Sequence, residues 1–360
     1  MNELRYSTHS IDESDIAAVV KVLRSDWLTC GPEVERFEAA LCAYLGCKYA
    51  VAVSSGTAAL HLAFLAVKER GEREIKTSPL SFVATANAAL LAGLQVEFQD
   101  VEESTGNVDL PHSLTSVAVP VHFAGRAARI PGESIVIEDG CHALGSMDFD
   151  GCSRVGSCAH SLATCFSFHP VKPICTGEGG AVTTNHQGFA DEVRRLRSHG
   201  RDENGCMVAL GLNYRMTDIQ AALGTSQLER CDEMRERRAS LSLWGYQNAM
   251  TGFDPEKIDR CSPRDSEAQF RQAFHLHTVR IKNGKRDAVK AKLNAQGIMA
   301  QIHYPCIHLQ PYYRQRFGYH EGMFPEAEAW AAEELSLPLH AKMTEADVAR
   351  VVDALRGALA

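Results

Sequence analysis

Residues 49–66, YAVAVSSGTAALHLAFLA, decide the fold. The five apolar residues at the start are typical of a buried strand, and the apolar stretch at the end is typical of a buried helix. The small residues between them, SSGT at 54–57, suit a tight turn. The stretch therefore predicts a strand, a turn and a helix, which is the repeating unit of open α/β sheets.

Similar apolar runs lie further along the chain. Residues 117–121 and 134–137 indicate two more strands, although Pro120 is unusual in the interior of a sheet. The segments between such runs are helical or loop-like. The pattern predicts an α/β protein with a mostly parallel sheet.

Two capping boxes predict where the first and last helices begin. Ser10 and Glu13 have the S-x-x-E spacing ahead of the first helix, and Thr344 with Asp347 has the equivalent spacing ahead of the last. Apolar residues follow both pairs at helical spacing.

The run 220–241 passes from alanine-rich sequence into alternating acids and bases. This composition predicts one long helix that could bridge two domains. We therefore expect a large domain at 1–245 and a smaller C-terminal domain at 246–360, where strands are fewer. The total length of 360 residues suits two or three domains of roughly 100 to 200 residues.

The composition excludes several classes of protein. Against 45 acidic residues there are 37 Lys and Arg, and the net charge of -8 opposes a nucleic-acid-binding surface. The twelve cysteines include no C-x-x-C pair, so we expect reduced thiols and no metal site. There is no signal peptide pattern and no apolar run of roughly 18 residues, so we expect a cytoplasmic protein that does not bind membranes.

Lys172 is a candidate nucleophile. Pro170 and Pro173 disfavour a helix around it and would hold it in a stiff turn. Its small and apolar neighbours would desolvate the amine and lower its pKa toward the range in which it condenses with a carbonyl. An ordinary exposed lysine is the alternative, and exposed lysines are far more common.

Asp139 and His142 follow the predicted strand at 134–137. Open α/β sheets bind ligands at the carboxyl ends of their strands, where an acid can keep a ring nitrogen protonated. His142 could hydrogen-bond a substituent of the same ring. Asp139 could equally cap a turn or helix, and His142 could be a structural histidine.

The turn at 54–57 and Phe82 complete the set. Small residues at a helix N-terminus leave backbone N–H groups free for a phosphate, although most such turns are only N-caps. Phe82 could stack on a planar heterocycle or belong to the core. A lysine, a strand-end acid, a phosphate turn and an aromatic platform together are what pyridoxal phosphate requires of a protein.

Six separated motifs resemble those of the DegT/StrS-type sugar aminotransferases, which are pyridoxal-phosphate enzymes. They are WLTCGP at 27–32 with Phe37, SGTAAL at 55–60, SFVAT at 81–85, EDGCHALG at 138–145, the segment 167–180, and GLNYRMTD at 211–218. The resemblance implies fold type I, aspartate aminotransferase-like, with a mostly parallel mixed sheet in the large domain and a smaller C-terminal α+β domain. Within the family, the segments 81–87, 169–173 and 197–200 are most similar to transaminases of pseudaminic acid biosynthesis.

The resemblance also implies roles for single residues. Lys172 would form an imine with pyridoxal phosphate and move the proton at the substrate carbon. Asp139 would pair with the pyridine nitrogen, His142 would approach the 3-oxygen of the ring, and Phe82 would cover one face. Ser55 and Gly56 would also bind the cofactor. Its phosphate would be bound by backbone groups of Thr57 and Ala58, by the Ser167 hydroxyl, and by Asn213 of a neighbouring subunit. The active form would then be a homodimer.

A nucleotide-sugar substrate follows from the same resemblance. The pocket walls would be Tyr6, Trp27, Leu28, Thr29, His303 and Tyr304, although aromatic residues at these positions could equally serve packing. The expected reaction is the amination of C4 of a UDP-linked 4-keto-6-deoxy-N-acetylhexosamine, with glutamate as the amino donor. One departure from the family is the pair Gly140 and Cys141, where relatives more often carry two small residues such as alanine.

Two alternatives remain open, and the residues argue against two others. The substrate could be another UDP- or dTDP-linked 3-keto or 4-keto sugar, or the protein could be a regulator that binds pyridoxal phosphate without turnover. A sugar dehydratase of the same family would carry histidine in place of Lys172. A nicotinamide-dependent reductase is suggested by the Y-x-x-x-K pair Tyr44 and Lys48, but no G-x-G-x-x-G follows an early strand.

Overall fold

A seven-stranded mixed sheet lies at the centre of the computed structural model, which describes residues 3–261 and 271–360. In chain order its strands are β1 (Tyr49–Val53), β2 (Glu74–Thr77), β3 (Gln95–Phe98), β4 (Val117–Val119), β5 (Ile137–Asp139), β6 (Ala163–Ser167) and β7 (Gly180–Thr184). Hydrogen bonds order them β1-β7-β6-β5 and β3-β2-β4, and parallel bridges from Ala118 to Val136 and from Val121 to Asp139 join β4 to β5. Strand β7 is antiparallel to both neighbours, whereas the other adjacent pairs are parallel. The predicted mostly parallel sheet is confirmed.

Helices cover both faces of this sheet. In chain order the helices of the described residues are α1 (Glu13–Leu23), α2 (Pro32–Leu45), α3 (Gly56–Glu69), α4 (Ala84–Leu91), α5 (Gln187–Arg197), α6 (Asp218–Glu229), α7 (Cys231–Ala239), α8 (Arg286–Ala295), α9 (Pro311–Phe317), α10 (Pro325–Glu333) and α11 (Glu345–Leu359). None of those in residues 3–261 and 271–360 combines the length and apolar character that a membrane span requires.

Strand β1 contributes apolar side chains to both faces of the sheet, so helices must bury both faces. Because successive side chains of a strand point to opposite sides, Val51 and Val53 join a core with α3 and α5. Ala50 and Ala52 join a different core with α2 and α6. The strand, turn and helix predicted at 49–66 are confirmed, with α3 beginning at the turn itself.

A second, antiparallel sheet lies in the C-terminal part of the chain. Its strands are β8 (Ile258–Asp259), β9 (His277–Ile281) and β10 (Glu334–Leu337), in the order β10-β9-β8. Helices α8 and α11 pack on it, and the buried cluster that they form begins at Leu241 and also contains Leu4. The domain division at 245/246 remains a prediction, and Leu4 shows that the N-terminal segment packs with the C-terminal cluster.

The first helix begins two residues later than predicted. Its N-cap is Asp12, whose carboxylate accepts the N–H groups of Ser14 and Asp15, and Asp15 closes the capping box. Asp15 is fully buried, where Arg230 and Gln227 of the α6 region bind its carboxylate at 2.6 Å. This contact far along the chain selects the D-x-x-D box over the overlapping S-x-x-E pair. The box at Thr344 and Asp347 is confirmed.

The single long helix predicted at 220–241 is wrong. The helix is interrupted at Arg230, which separates α6 from α7. After α7, the segment Ser240–Gln247 continues as a wider π-helix. The Arg230 N–H bonds back to the carbonyls of Gln227 and Leu228, while its side chain reaches Asp12 and Asp15. The strand predicted at 134–137 likewise lies later, at 137–139.

Candidate active site

A cavity of about 410 Å³ opens at the carboxyl end of β5. Most of the predicted site residues line it: Tyr6, Ser55, Gly56, Thr57, Phe82, Asp139, His142, Ser167, Lys172, His303 and Tyr304. A larger cavity of about 790 Å³ lies elsewhere, around Arg70, Arg129 and His160, and none of the predicted residues lines it. Volume therefore does not identify the site, whereas the chemistry of the lining does.

Asp139 is the last residue of β5, and both of its carboxylate oxygens are held. The Thr85 hydroxyl donates to Oδ2 at 2.7 Å, and the Cys141 N–H donates to Oδ1 at 3.1 Å. Thr85 in turn lies 2.9 Å from the Ser81 hydroxyl. Asp139 thus caps the turn after its strand and also presents a buried, oriented carboxylate to the cavity.

Lys172 lies in a turn closed by its backbone N–H, which donates to the His169 carbonyl at 2.8 Å. Its side chain is half-buried by surface area because the cavity reaches it, yet it lies deep in the fold. Burial lowers the pKa of the amine, while Cys141 and Asp139 oppose the shift. Within residues 3–261 and 271–360, Nζ has no hydrogen-bond or ion-pair partner. The predicted direction of the pKa shift is confirmed.

His142 is a neutral imidazole with one unsatisfied nitrogen. Its Nε2 lies 3.0 Å from the Tyr304 hydroxyl, whereas Nδ1 is buried and has no partner among the described residues. Burial lowers its pKa well below the usual value, and Lys172 and His303 add to the effect. His275 packs on the ring, with 4.4 Å between ring centres. A buried polar atom without a partner is uncommon, so the geometry leaves Nδ1 for a ligand.

The N-terminus of α3 faces the same cavity. Ser55 is the N-cap, and its hydroxyl accepts the Ala58 N–H at 3.1 Å, so the Ala58 amide is already occupied by the cap. The amides of Gly56 and Thr57 belong to the first turn, where helices lack internal partners for their donors. A Cβ at Gly56 would lie 2.7 Å from Cβ of Ser167. Glycine therefore allows the helix to approach the end of β6.

Several aromatic side chains also line the cavity. Phe82 is 56% exposed and its ring centre lies 5.8 Å from that of Tyr304. Tyr6 lies 5.4 Å from His303 by the same measure. Although these residues come from both ends of the chain, the fold brings them together as predicted.

Five predicted residues do not line the cavity of this chain: Trp27, Leu28, Thr29, Ala58 and Asn213. Trp27, Leu28, Thr29 and Asn213 are all exposed to solvent. Asn213 lies beside Ser198 in an antiparallel bridge, and the neighbouring Leu210 is 86% exposed. Asn213 is therefore not part of the cavity wall in its own chain.

Sequence reasoning missed several residues of the site. Thr85 orients Asp139, and its only signal was membership of the SFVAT motif. Glu334 and Ser336 bind His303 from behind the cavity, and no pattern links them to it. Only the folded chain brings these groups together.

The donors and acceptors of the cavity fit pyridoxal phosphate. An unpartnered amine suits its aldehyde, the oriented Asp139 carboxylate suits its pyridinium, and the orphaned Nδ1 of His142 suits a ring substituent. The first amides of α3 suit its phosphate. No group of three or more His, Cys, Asp or Glu side chains suited to a metal ion occurs in residues 3–261 and 271–360.

Comparison with known proteins agrees with this fit. The profile of the DegT/DnrJ/EryC1/StrS aminotransferase family matches residues 9–356. The UDP-4-amino-4,6-dideoxy-N-acetyl-beta-L-altrosamine transaminase of Campylobacter jejuni is 36% identical over 377 residues, covering 98% of this chain and 96% of that protein. Helicobacter pylori PseC, an aminotransferase involved in the biosynthesis of pseudoaminic acid, has a similar structure with a TM-score of 0.90, 31% identity and 99% coverage of both chains. DesI, solved in the presence of its TDP-sugar product, gives a TM-score of 0.87 at 28% identity, covering 99% of this chain and 93% of that one.

Proposed function

Because the chain belongs to the DegT/DnrJ/EryC1/StrS aminotransferase family, we propose that it aminates C4 of a UDP-linked 4-keto-6-deoxy-N-acetylhexosamine with glutamate as the donor. At the family level it is a sugar aminotransferase of fold type I that uses pyridoxal phosphate and acts on nucleotide sugars. The Campylobacter and Helicobacter proteins support the finer substrate assignment, in a pathway that makes pseudaminic acid or a related amino sugar. The observation that carries the proposal is the shared cavity of Lys172, Asp139 and His142.

We assign the central chemistry to Lys172. Its burial favours the neutral, nucleophilic amine, which would hold the cofactor covalently between turnovers. When bound, pyridoxal phosphate supplies an electron sink for the carbon that loses its proton. Lys172 Nζ would take that proton from glutamate and later return one to C4 of the sugar.

Other residues of the cavity would hold and orient the cofactor. Asp139 would keep the pyridine nitrogen protonated, and His142 Nδ1 would hydrogen-bond the 3-oxygen. Phe82 would cover one face of the ring. The amides of Gly56 and Thr57 and the hydroxyl of Ser167 would bind the phosphate.

Tyr6, His303 and Tyr304 would contact the nucleotide sugar, since they line the cavity. The loop Trp27–Thr29 and Asn213 would contribute to the cavity of a second copy of the chain. Exposed apolar side chains flank Asn213, and a patch of this kind is typical of a protein interface: Met207, Val208 and Leu210. We therefore propose a homodimer in the cytoplasm.

Covalent trapping tests the assignment of Lys172. Purified protein incubated with pyridoxal phosphate should stay yellow after unbound cofactor is removed, and borohydride should then fix a pyridoxyl group on Lys172 that peptide mass spectrometry locates. Lys172→Ala should lose both signals. Lys76→Ala is the control, because Lys76 is paired with Glu97 outside the cavity and its loss should change neither. An adduct at another residue, or none, would contradict the proposal.

The sugar is tested by a substrate panel. UDP- and dTDP-linked 4-keto and 3-keto sugars, supplied with glutamate, should show turnover with the UDP-4-keto sugar, and NMR of the product should place the new amine on C4. Turnover of 3-keto sugars alone would refute the C4 assignment and leave the family assignment intact. Binding of the cofactor without turnover of any sugar would indicate a regulatory protein.

A further inference from the structure

A chain of hydrogen bonds runs from a buried carboxyl to His303 at the cavity. Glu334, the first residue of β10, is fully buried. Its Oε2 accepts the backbone N–H of His303 at 2.6 Å, and its Oε1 accepts the Ser336 hydroxyl at 2.6 Å. Ser336 Oγ also lies 2.8 Å from Nδ1 of the His303 ring. The path from Glu334 to the imidazole is therefore continuous.

The register of β10 explains this arrangement. Gln301 and Ser336 exchange backbone hydrogen bonds in an antiparallel bridge, which places His303 opposite Glu334 two residues along. The His303 ring contacts Ser336 through Nδ1, and His303 is also among the residues that line the cavity. The second sheet thus supports a residue of the sugar pocket.

The hydroxyl of Ser336 has a single proton, so the tautomer of His303 depends on whether Glu334 is ionised. While Ser336 donates to Glu334, it can only accept from His303, so Nδ1 carries the ring proton. Nε2 is then an acceptor, and it has no hydrogen-bond partner within residues 3–261 and 271–360. If Glu334 is protonated, it can donate to Ser336, Ser336 donates to Nδ1, and Nε2 becomes the donor.

We propose that Glu334 and Ser336 are positioning residues that set the His303 tautomer, and so decide whether the sugar pocket offers a nucleotide sugar a donor or an acceptor. A proton that enters at Nε2 releases the Nδ1 proton to Ser336 Oγ, and the original Ser336 proton moves to Glu334 Oε1. The ring stays neutral and the carboxylate becomes a carboxylic acid. This inference rests on the proposed function, because it takes the ligand of His303 to be a nucleotide sugar.

Several charged and titratable groups surround Glu334. Arg286 of α8 donates to its backbone carbonyl at 3.1 Å, and Arg280 is its neighbour on β9 but is bound to Glu333. Burial raises the pKa of Glu334 to about 8, against the opposing effects of Ser336, the His303 N–H and Arg286. The remaining groups close to the path are Cys261, Tyr304, Tyr6, His142 and Lys172.

His303 itself does not supply the titration. Burial lowers its pKa to about 3, with a further contribution from Lys172, so the ring is neutral at every working pH. Glu334 is protonated below its own pKa and ionised above it. Nε2 is therefore a donor at lower pH and an acceptor at higher pH.

The two states suit different ligands. A ketone oxygen can only accept a hydrogen bond, so the ketosugar favours the donor state of Nε2. The amine of the product can donate, so the aminosugar favours the acceptor state. As the pH rises through the pKa of Glu334, affinity for the ketosugar should fall and affinity for the aminosugar should rise.

The tautomer can be read directly in the holoenzyme. Nitrogen-15 NMR of histidine-labelled protein, with the His303 signals assigned through His303→Gln, should show the proton move from Nε2 to Nδ1 between about pH 6 and pH 10. Glu334→Gln should hold the proton on Nε2 throughout, since the amide nitrogen can donate to Ser336 but cannot accept. A wild-type tautomer that does not change, or one that changes equally in Glu334→Gln, overturns the proposal.

Kinetics provide the second measurement. The KM for the ketosugar should rise about tenfold over that pH range in the wild type and stay nearly constant in Glu334→Gln and Ser336→Ala. Ser242→Ala is a matched control, because it removes a 2.8 Å contact from a serine to Nδ1 of the buried His277, which does not line the cavity. It should keep the wild-type pH profile. If Glu334→Gln and Ser336→Ala kept the wild-type dependence of KM on pH, the proposed hydrogen-bond path from Glu334 to His303 would be refuted.

The two proposals fail in different ways. Absence of cofactor binding or sugar turnover would refute the proposed function, while the NMR of His303 would still judge the hydrogen-bond path. Normal turnover with no change in tautomer would refute the path alone.

Discussion

Two hydrogen bonds hold the Asp139 carboxylate in place, and one of them comes from a distant side chain. Thr85 lies in α4 and donates to Oδ2 of Asp139, and the Cys141 N–H holds the other oxygen. Hydrogen bonds to a buried carboxylate compensate for its lost hydration, and each also fixes its direction. The orientation of Asp139 therefore depends on α4 as well as on its own strand.

Replacement of Thr85 by valine tests this dependence. Thr85→Val keeps the shape but leaves one carboxylate oxygen unsatisfied, so the free energy of unfolding should fall by about 1–3 kcal/mol. The dissociation constant for pyridoxal phosphate should rise as well. Urea unfolding and absorbance titration measure the two effects.

Thr85→Ser retains the hydroxyl and should restore most of both values. A loss in the serine variant with none in the valine variant would show that packing of the methyl group, and not the hydrogen bond, matters.

For single residues, the sequence predicts a place in the site only where the residue type and its neighbours in the chain both point to it. Lys172 lies between two prolines, and Asp139 ends an apolar run, so both could be proposed as site residues from local sequence. Thr85 and Glu334 could not, because their partners are 54 and 31 residues away in the chain. A hydrogen bond over such a separation leaves no local pattern.

Among the elements, α1 shows how a distant contact selects a helix start. Ser10-x-x-Glu13 and Asp12-x-x-Asp15 overlap, and the second box forms because the buried Asp15 binds Arg230 and Gln227. The same contact coincides with the break between α6 and α7. Local pattern therefore predicted α1 with too early a start and missed the break between α6 and α7, whereas β1 and α3 needed no distant partner.

Cap substitutions distinguish the two boxes. Asp12→Ala should lower the melting temperature of the protein, because it removes the acceptor for two N–H groups of α1. Asp12→Asn should retain most of the stability, since asparagine is a good cap. Ser10→Ala should have no measurable effect in the same thermal scan. A larger loss for Ser10→Ala than for Asp12→Ala would show that the helix begins at the S-x-x-E box.

For the whole molecule, the cavity of one chain is poor in cationic groups. Lys172 is the sole Lys or Arg among the described residues that line the cavity, although a nucleotide sugar carries a diphosphate. Asn213 and the apolar residues beside it face solvent. Both facts are explained if a second copy covers this surface and contributes to the site.

Mixing inactive subunits tests the shared site. Lys172→Ala and Asn213→Ala homodimers should each have little activity, but co-expressed subunits form mixed dimers with one intact site. Random pairing should recover up to about a quarter of wild-type turnover. Asn185→Ala is a control for the second variant, since Asn185 binds the carbonyls of Ser157 and Cys158 away from the cavity and should stay active alone. No recovery on mixing would place Asn213 in the site of its own chain or in neither.

The backbone hydrogen bonds of Leu4 with Gly297 and Met299 limit how early the protein can finish folding during its own translation. The amino-terminal residues leave the ribosome first, but their partners are made only after most of the chain has been translated. A nascent polypeptide can pair the strands of its central sheet earlier, because these all lie before residue 185. We therefore expect the capacity to hold a sugar to arise last, within the final portion of translation, when Tyr6 and His303 first come together.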